Sequence, residues 1–161
     1  MLGISGMRWY LATALGCSSV VDTMSWRGMV THEKEHRRCI ETFYRNVIHR
    51  LDGPAREYAN GTKTWWVDGQ RHRADGPATE YPDAGEEWWV NGQRHRVDGP
   101  AVEGVNGYQS WWVHGRLHQV NGPATKFADG SKHWCVNGKF HRLDGSAVEC
   151  ADGHKEWWVD G

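Results

Sequence analysis

The sequence repeats itself with a period of 23 residues, and this period constrains the fold more than any other feature. Four full copies occupy residues 49–71, 72–94, 95–117 and 118–140, and a fifth begins at residue 141; their first residues are His49, His72, His95, His118 and His141. A short fixed period is typical of arrays in which each copy packs only on its neighbours. The segment from Phe43 to Arg50 resembles the second half of an earlier, degenerate copy. We therefore predict a repeat array over residues 43–161 and a small N-terminal cap over residues 1–42.

Each copy carries two turn signals, which in the first copy are Asn60-Gly61 and Asp68-Gly69. Such pairs supply the positive φ values of tight hairpins, and the stretch between them, TKTWWV, has the length of a short strand. A third break, Asp52-Gly53-Pro54, reverses the chain between copies because proline cannot continue a strand ladder. The expected fold is all-β: an elongated, single-layer antiparallel sheet of stacked hairpins. In the second copy the glycine moves to Gly85, and we expect a different turn there.

The two adjacent tryptophans of each copy are expected to face opposite sides of the sheet. If both turns contain two residues, Trp65 lies opposite Arg56 and His72, and Trp66 lies opposite Ala55 and Arg71. One side then collects Tyr58, Trp65, Val67 and His72, and the other collects Ala55, Glu57, Trp66, Arg71 and Arg73. The first tryptophan recurs in all five copies and is the better candidate for packing: Trp65, Trp88, Trp111, Trp134 and Trp157. In the fourth copy the second tryptophan becomes Cys135 and its expected partner becomes Phe140, which conserves volume.

Composition excludes several functional classes. A formal net charge of -1 over 161 residues argues against extended nucleic-acid binding. The four cysteines form no C-x-x-C pair, so we expect a reduced, cytoplasmic protein without a zinc site. We find no catalytic motif and expect neither catalytic residues nor a cofactor. The recurrent histidine is best explained by stacking or by a hydrogen bond that fixes a turn, and the Asp of each DGP segment by turn capping, since Asn121 replaces it in the fourth copy.

The N-terminal part offers one further element. The segment from Thr31 to Tyr44 is expected to form a short helix, with Thr31 as its cap and Glu33 in its first turn. Such a helix is too short to cover five copies. Because a single-layer sheet with two aromatic faces invites association, sheet curling, a homo-oligomer or a protein partner must cover the remainder.

The repeat resembles a known family. The motif W-x-x-G-x-x-H, which runs from Trp66 to His72, the 23-residue period and the Y-A-N-G turn at Tyr58 resemble MORN repeats. The resemblance covers residues 43–161 and implies stacked hairpins that serve in recognition and assembly. Arg73 stands where MORN repeats commonly have glycine, and the DGPA segment replaces a second glycine-rich one. The chain is more similar to MORN variants of bacterial and phage proteins, some of them antitoxin-like, so membrane binding is not expected.

Two groups of residues are candidate binding residues. The first is the tryptophan and arginine face, where indoles can stack on a planar ligand while guanidinium groups contact an anion; it comprises Trp66, Trp89, Trp112, Arg71, Arg94, Arg73 and Arg96. The same arginines also suit a purely structural role as lids over the indoles. The second group is Tyr108 and His114, beside a gap in the column of aromatic residues that Gly104 interrupts. A hole there, lined by Trp111, Tyr81 and Phe127, is expected to be either a ligand pocket or a flat packing surface.

Two functions remain open from the sequence. The first is a non-catalytic module that recognises, inhibits or scaffolds a protein partner, or a second copy of itself, in the manner of an antitoxin or anti-defence protein. The alternative is a sequestering protein that captures a small, anionic, nucleotide-like ligand through tryptophan and arginine side chains.

Overall fold

A computed structural model describes residues 22–25, 29–34 and 39–161. All regular elements in these ranges are strands: β1 (Asp22–Ser25), β2 (Met29–Lys34), β3 (Cys39–Tyr44), β4 (Val47–Ile48), β5 (Arg56–Tyr58), β6 (Lys63–Thr64), β7 (Trp66–Val67), β8 (Gln70–Arg71), β9 (Thr79–Tyr81), β10 (Gly85–Glu87), β11 (Trp89–Val90), β12 (Gln93–Arg94), β13 (Val102–Glu103), β14 (Gln109–Ser110), β15 (Trp112–Val113), β16 (Arg116–Leu117), β17 (Thr125–Lys126), β18 (Lys132–His133), β19 (Cys135–Val136), β20 (Lys139–Phe140), β21 (Val148–Glu149) and β22 (Lys155–Glu156).

The strands form one long sheet and a row of small hairpins. The first two strands of each copy join an antiparallel sheet of 14 strands that runs through the array. The remaining eight strands make four two-stranded sheets, β7-β8, β11-β12, β15-β16 and β19-β20. The all-β array of stacked hairpins is therefore confirmed, with the refinement that each copy divides between two rows.

The helix expected from Thr31 to Tyr44 is wrong in the part of the chain that the structure describes. Strands β2 and β3 occupy this segment and pair antiparallel from Met29 opposite Tyr44 to Lys34 opposite Cys39. Their β-branched and aromatic residues favour a pleated surface over a helix, and β3 also pairs with β5, so the sheet crosses the predicted boundary at residue 42. Residues 1–21, 26–28 and 35–38, which make up most of the predicted cap, lie outside the described residues.

The second turn of each of the four complete copies is the predicted two-residue turn. Asp68 and Gly69 both have positive φ, 49° and 74°, and Val67 pairs with Gln70 across them. The predicted cross-strand partners of the second tryptophan position are confirmed in four copies: Trp66 with Arg71, Trp89 with Arg94, Trp112 with Leu117 and Cys135 with Phe140. The degenerate copy before residue 49 follows the same plan, because Phe43 pairs with Ile48 across a turn.

The first turn is longer than predicted. The N–H of Tyr58 donates to the carbonyl of Thr62 at 2.9 Å around a three-residue loop that ends in Gly61, whose φ is 84°. Such loops place glycine in the left-handed region as a bulge. The extra residue shifts the register by one, so Arg56 pairs with Thr64. The predictions that Trp65 lies opposite Arg56 and that Trp66 lies opposite Ala55 are therefore wrong.

The turn of the second copy differs from the others, as predicted. Gly85, with a φ of 110°, pairs with Tyr81 and belongs to β10. A side chain at this position would collide with the carbonyl group of Glu103 in the next strand. The shifted glycine thus permits close approach of two neighbouring backbones.

The chain leaves the long sheet at the first tryptophan of each copy. The N–H of Trp65 donates to the carbonyl of Ala78 at 2.9 Å, and its own carbonyl accepts from His72 at 3.1 Å. The small hairpins are joined across copies. The N–H of Gly92 donates to the carbonyl of Arg71 at 2.9 Å, and the N–H of Arg73 donates to the carbonyl of Trp89 at 3.2 Å. Each copy is therefore tied to the next in both rows.

The interior is built from small side chains. The alanine of each DGPA, NGPA or DGSA segment has no exposed surface; these residues are Ala55, Ala78, Ala101, Ala124 and Ala147. Thr79 and Ser110 are the largest side chains that are fully buried among the described residues. The tryptophans of the first four copies are only half-buried. The interior therefore has no room for a large side chain at the alanine positions.

We predict that enlarging one of these alanines destabilises the array. Ala101→Leu forces extra carbon atoms into a fully buried site and should lower the free energy of unfolding by about 1–3 kcal/mol. The matched control is Ala128→Leu, because Ala128 is exposed in a turn and a surface change costs less than about 0.5 kcal/mol. Urea unfolding of both variants measures the difference, and equal stability would contradict a tightly filled alanine column.

Candidate functional site

The predicted tryptophan and arginine residues form a continuous ladder in the first three copies. The guanidinium carbon of Arg71 lies 5.5 Å from the ring centre of Trp66 and 5.1 Å from that of Trp89. That of Arg94 lies 5.1 Å from Trp89 and 5.3 Å from Trp112. Trp89 thus has one guanidinium group from its own copy and one from the preceding copy, in cation–π contact. We call these five residues the tryptophan–arginine ladder.

A largely buried carboxylate holds the ladder together. Glu87, whose side chain is 11% exposed, accepts hydrogen bonds from Arg94 Nη2 at 3.0 Å and from Trp89 Nε1 at 2.8 Å. The oxygen that accepts from Trp89 also lies 3.6 Å from Arg71 Nη1. In the neighbouring copies Thr64 and Ser110 occupy the same position and accept from the indole N–H of Trp66 and Trp112. The three indole N–H groups of the ladder and Nη2 of Arg94 are therefore hydrogen-bonded within the array, which favours the structural role of the ladder.

The ladder changes character in the later copies. Cys135 is 3% exposed, and burial raises the pKa of its thiol. The missing indole is replaced by a cluster in which the ring of His133 lies edge-on to Phe127 at 4.8 Å and to Phe140 at 5.3 Å. The ring of Phe140 in turn lies 6.5 Å from that of Trp158. The volume lost at Cys135 is thus supplied by two neighbouring rings.

Arg73 and Arg96 do not join the ladder, so the prediction that Arg73 shares a face with Trp66 is wrong. The guanidinium group of Arg73 lies 4.2 Å from the ring centre of Trp65. Its Nε donates to Asp75 at 3.0 Å, and its Nη1 donates to Glu80 at 2.8 Å. Arg73 comes just after strand β8 of the small hairpin, and its guanidinium group lies over Trp65, the first tryptophan of the preceding copy. Arg96 makes the same contacts with Trp88, Asp98 and Glu103.

This arrangement, which we call the arginine clamp, explains the DGP segment. The hydrogen bond from Arg73 lowers the pKa of Asp75, so the recurrent aspartate serves as the partner of an arginine. A Cβ at Gly76 would lie 3.0 Å from the guanidinium carbon of Arg73, so glycine leaves the space in which the arginine lies. Arg73 Nη1 also donates to the carbonyl of Pro77 at 3.2 Å. The sequence prediction assigned these residues to a turn alone.

The fourth copy replaces the clamp as a unit. Gln119 stands in the arginine position and Asn121 in the aspartate position. Lys126 occupies the position of Glu80 and Glu103, and its Nζ lies 5.0 Å from the ring centre of Trp111. A cation therefore lies over the first tryptophan although it comes from a different residue. Gln119 and Lys126, which are seven residues apart, both differ from the other copies. This joint change is a signal that the sequence interpretation missed.

The recurrent histidine fixes a turn of the next hairpin, as predicted. The N–H of Asn91 donates to Nδ1 of His72 at 3.2 Å, and the equivalent bonds are from Asp68 to His49, from Asn137 to His118 and from Asp160 to His141. In the third copy His114 donates its N–H to Nδ1 of His95 at 3.2 Å, and their rings lie 4.5 Å apart. His114 is thus a turn residue.

The gap at Gly104, for which a ligand pocket and a flat packing surface were the two expectations, is filled by neighbouring atoms. A Cβ at Gly104 would lie 2.9 Å from Asn106 Oδ1 and 3.2 Å from the Cβ of Tyr108. The Tyr108 ring packs edge-on against Phe127 at 5.8 Å. An open cleft of about 580 Å³ lies instead between the loops 50–53 and 72–75, beside Trp65.

A column of exposed aliphatic side chains follows the outer edge of these loops. It occupies the position before the DGP or DGS segment of each copy, which is NGP in the fourth copy, and consists of Leu51, Ala74, Val97, Val120 and Leu143. Leu51, Val97, Val120 and Leu143 are 77%, 85%, 71% and 81% exposed, and Ala74 is exposed as well. We call this column the aliphatic stripe. The sequence interpretation missed it although the same position is apolar in every copy.

Exchange of charges in the fourth copy tests the clamp. Lys126→Glu should lower the free energy of unfolding by about 0.5–1 kcal/mol, because Trp111 loses its cation. Adding Gln119→Arg and Asn121→Asp to Lys126→Glu rebuilds the clamp of the other copies and should recover the loss. Thermal unfolding of the three proteins measures this, and a triple variant no more stable than Lys126→Glu would contradict the proposed unit.

The pH dependence of stability tests the ring cluster. Burial lowers the pKa of His133, partly offset by Glu156. The unfolded chain then binds the proton more readily, so stability should fall as the pH falls through the ordinary histidine range near about 6.5. His133→Phe keeps a ring between Phe127 and Phe140 and should lose less stability between about pH 8 and about pH 5. Identical pH profiles by urea unfolding would contradict a half-buried His133 whose pKa is lowered in the fold.

Comparison with known proteins leaves the family open. No protein-family model matches this sequence, and no curated protein matches it. The likeness to MORN repeats therefore rests on the repeat residues themselves. Within the described residues there is no helix of the length and apolar character needed to cross a bilayer, and no group of three or more His, Cys, Asp or Glu residues is placed to hold a metal ion.

Proposed function

We propose that this chain is a non-catalytic binding module that holds a protein partner along its repeat array, to inhibit it or to scaffold it. The observation that carries the proposal is the aliphatic stripe, in which four large side chains are 71–85% exposed at equivalent positions. Single exposed apolar residues are common on protein surfaces, whereas large apolar side chains exposed at the same position of successive copies form a regular feature that supports an interaction site.

The bonding of the polar side chains supports binding over catalysis. The histidines bond turn amides, and the clamp arginines bond aspartate, glutamate and backbone carbonyl groups. Glu87, which lies beside the ladder, accepts hydrogen bonds from an arginine and an indole of the ladder. These groups are used in holding the array together, whereas the side chains of the stripe are a regular apolar feature in contact with solvent.

The geometry gives less support to the sequestering alternative. A nucleobase that stacked on Trp89 would have to displace the guanidinium group of Arg71 or Arg94, each about 5 Å from the ring centre. Displacement of Arg94 would also break its bond to the largely buried Glu87, which is costly because that carboxylate loses its closest cationic partner.

A pair of valine substitutions tests the proposal. Val120 lies in the stripe and Val105 lies in a turn outside it, and both are 71% exposed. Val120→Asp should remove a co-purifying polypeptide, or a second copy of the chain, from the protein isolated from the cells that produce it. Val105→Asp should leave the complex intact. Native mass spectrometry measures the assembly, and circular dichroism checks that both variants fold.

Two results would contradict the proposal. A complex that survives Val120→Asp, or that both substitutions weaken equally, would show that the stripe does not receive the partner. An added mass of a few hundred daltons that is lost with Arg71→Ala and kept with Val120→Asp would favour the sequestering protein instead.

A further inference from the structure

We propose that the aliphatic stripe takes an extended, basic segment of the partner protein in polyproline II conformation, with apolar side chains three residues apart and one large side chain in the cleft at Ala74. This inference rests on the proposed function and specifies the chemistry of the partner.

The spacing of the stripe favours a polyproline II segment. Each copy adds two strands to the long sheet, so equivalent residues of successive copies are about 9.6 Å apart. A polyproline II helix brings every third residue to the same side after about 9.3 Å. Seven residues of an α-helix span about 10.5 Å, and residues three apart in a β-strand point to opposite sides. Over the four steps of the stripe the mismatch is about 1 Å for polyproline II and about 4 Å for an α-helix.

The width of the stripe points the same way. Each copy contributes one aliphatic side chain, which has a charged or polar residue on either side in the sequence, such as Arg50 and Asp52 around Leu51. An amphipathic helix buries an apolar face at least about 100° wide, so it would press its flanks against these charged groups. An extended chain presents single apolar side chains in a row and matches a stripe one residue wide.

The negative charge beside the stripe favours a basic partner. In the clamped copies the arginine side chains are 22–33% exposed, whereas their aspartate partners, Asp52, Asp75, Asp98 and Asp144, are 80–86% exposed. Hydrogen bonds from Arg50 and Arg73 lower the pKa values of Asp52 and Asp75, so these carboxylates stay ionised at neutral pH. Each of these clamps sets one arginine against an aspartate and a glutamate, so a net negative charge remains in every clamped copy. This charge attracts lysine and arginine and repels nucleic acid and anionic lipid.

The cleft gives the stripe one anchoring position. It has a volume of about 580 Å³ and is lined by Leu51, Trp65, Val67 and Ala74 together with the two neighbouring clamps. The equivalents of Ala74 in the later copies are Val97, Val120 and Leu143, which are larger. A large apolar side chain of the partner therefore enters at Ala74, and smaller ones lie along the rest of the row.

Synthetic peptides test the spacing and the charge. The probe is a fluorescein-labelled peptide of five Leu-Pro-Arg units, titrated with the full chain and followed by anisotropy. It should bind about tenfold more tightly than a peptide with Glu in place of each Arg, and than a peptide of the same composition with irregular leucine spacing. Binding of the probe should weaken as the salt concentration rises.

Variants of the chain locate the binding on the stripe. Val97→Asp should weaken binding about tenfold, and Val105→Asp should not change it, since Val105 is exposed outside the stripe. Ala74→Leu introduces a residue that the fifth copy carries at this position, so the fold should persist. This substitution should weaken the binding of a probe whose central leucine is replaced by tryptophan. It should leave the binding of the all-leucine probe unchanged.

The outcomes separate this inference from the proposed function. Equal binding of the irregular peptide, tighter binding of a basic helical peptide with a seven-residue leucine period, or no binding of the probe would overturn the polyproline II assignment. If the probe fails while the natural partner depends on Val120 and not on Val105, this inference is wrong and the proposed function stands. If neither the probe nor any partner depends on the stripe, both are wrong.

Discussion

The small interior of the array is the constraint on which the rest of the structure depends. One alanine per copy is completely buried, and its backbone extends the pairing of the long sheet: the carbonyl of Ala78 accepts from Trp65, and the N–H of Ala101 donates to the carbonyl of Ser110. A core of Ala, Thr and Ser supplies little apolar burial for each residue. The large aromatic side chains must therefore lie outside it, half-buried, where they need polar groups that tolerate water to cover them.

Arginine meets this need because its planar guanidinium group packs on an indole and still bonds carboxylates at its edge. The clamp and the tryptophan–arginine ladder apply the same solution to the two tryptophans of a copy. Their residues change together because each contact involves several side chains. Where Gln119 replaces the arginine, Lys126 supplies the cation over Trp111, and where Cys135 replaces the indole, Phe140 and His133 fill the space.

Much of the fold could be predicted from the sequence, because period and turn chemistry are local properties. The two-residue turn at Asp68-Gly69 and the pairing of Trp66 with Arg71 followed from them. The other turn signal, Asn60-Gly61, fits loops of two or three residues equally well, and one extra residue changed the partner of Trp65. The side of the array on which Arg73 lies depends on where the chain passes from one copy to the next. The sequence analysis treated each copy as part of one flat sheet and could not predict this crossing. The gap expected at Gly104 was filled by Tyr108 and Asn106 of the following turn.

The central claim is that the aromatic and charged side chains hold the array together and that the aliphatic stripe receives the partner. Hydroxyl-radical footprinting of the purified complex tests both halves at once, because tryptophan, leucine and valine side chains all react. The account predicts that binding of the partner protects Leu51, Val97, Val120 and Leu143 from oxidation. Trp66, Trp89 and Trp112 should react in the complex as they do in the unbound protein. Protection of the three tryptophans with an unprotected stripe would contradict it.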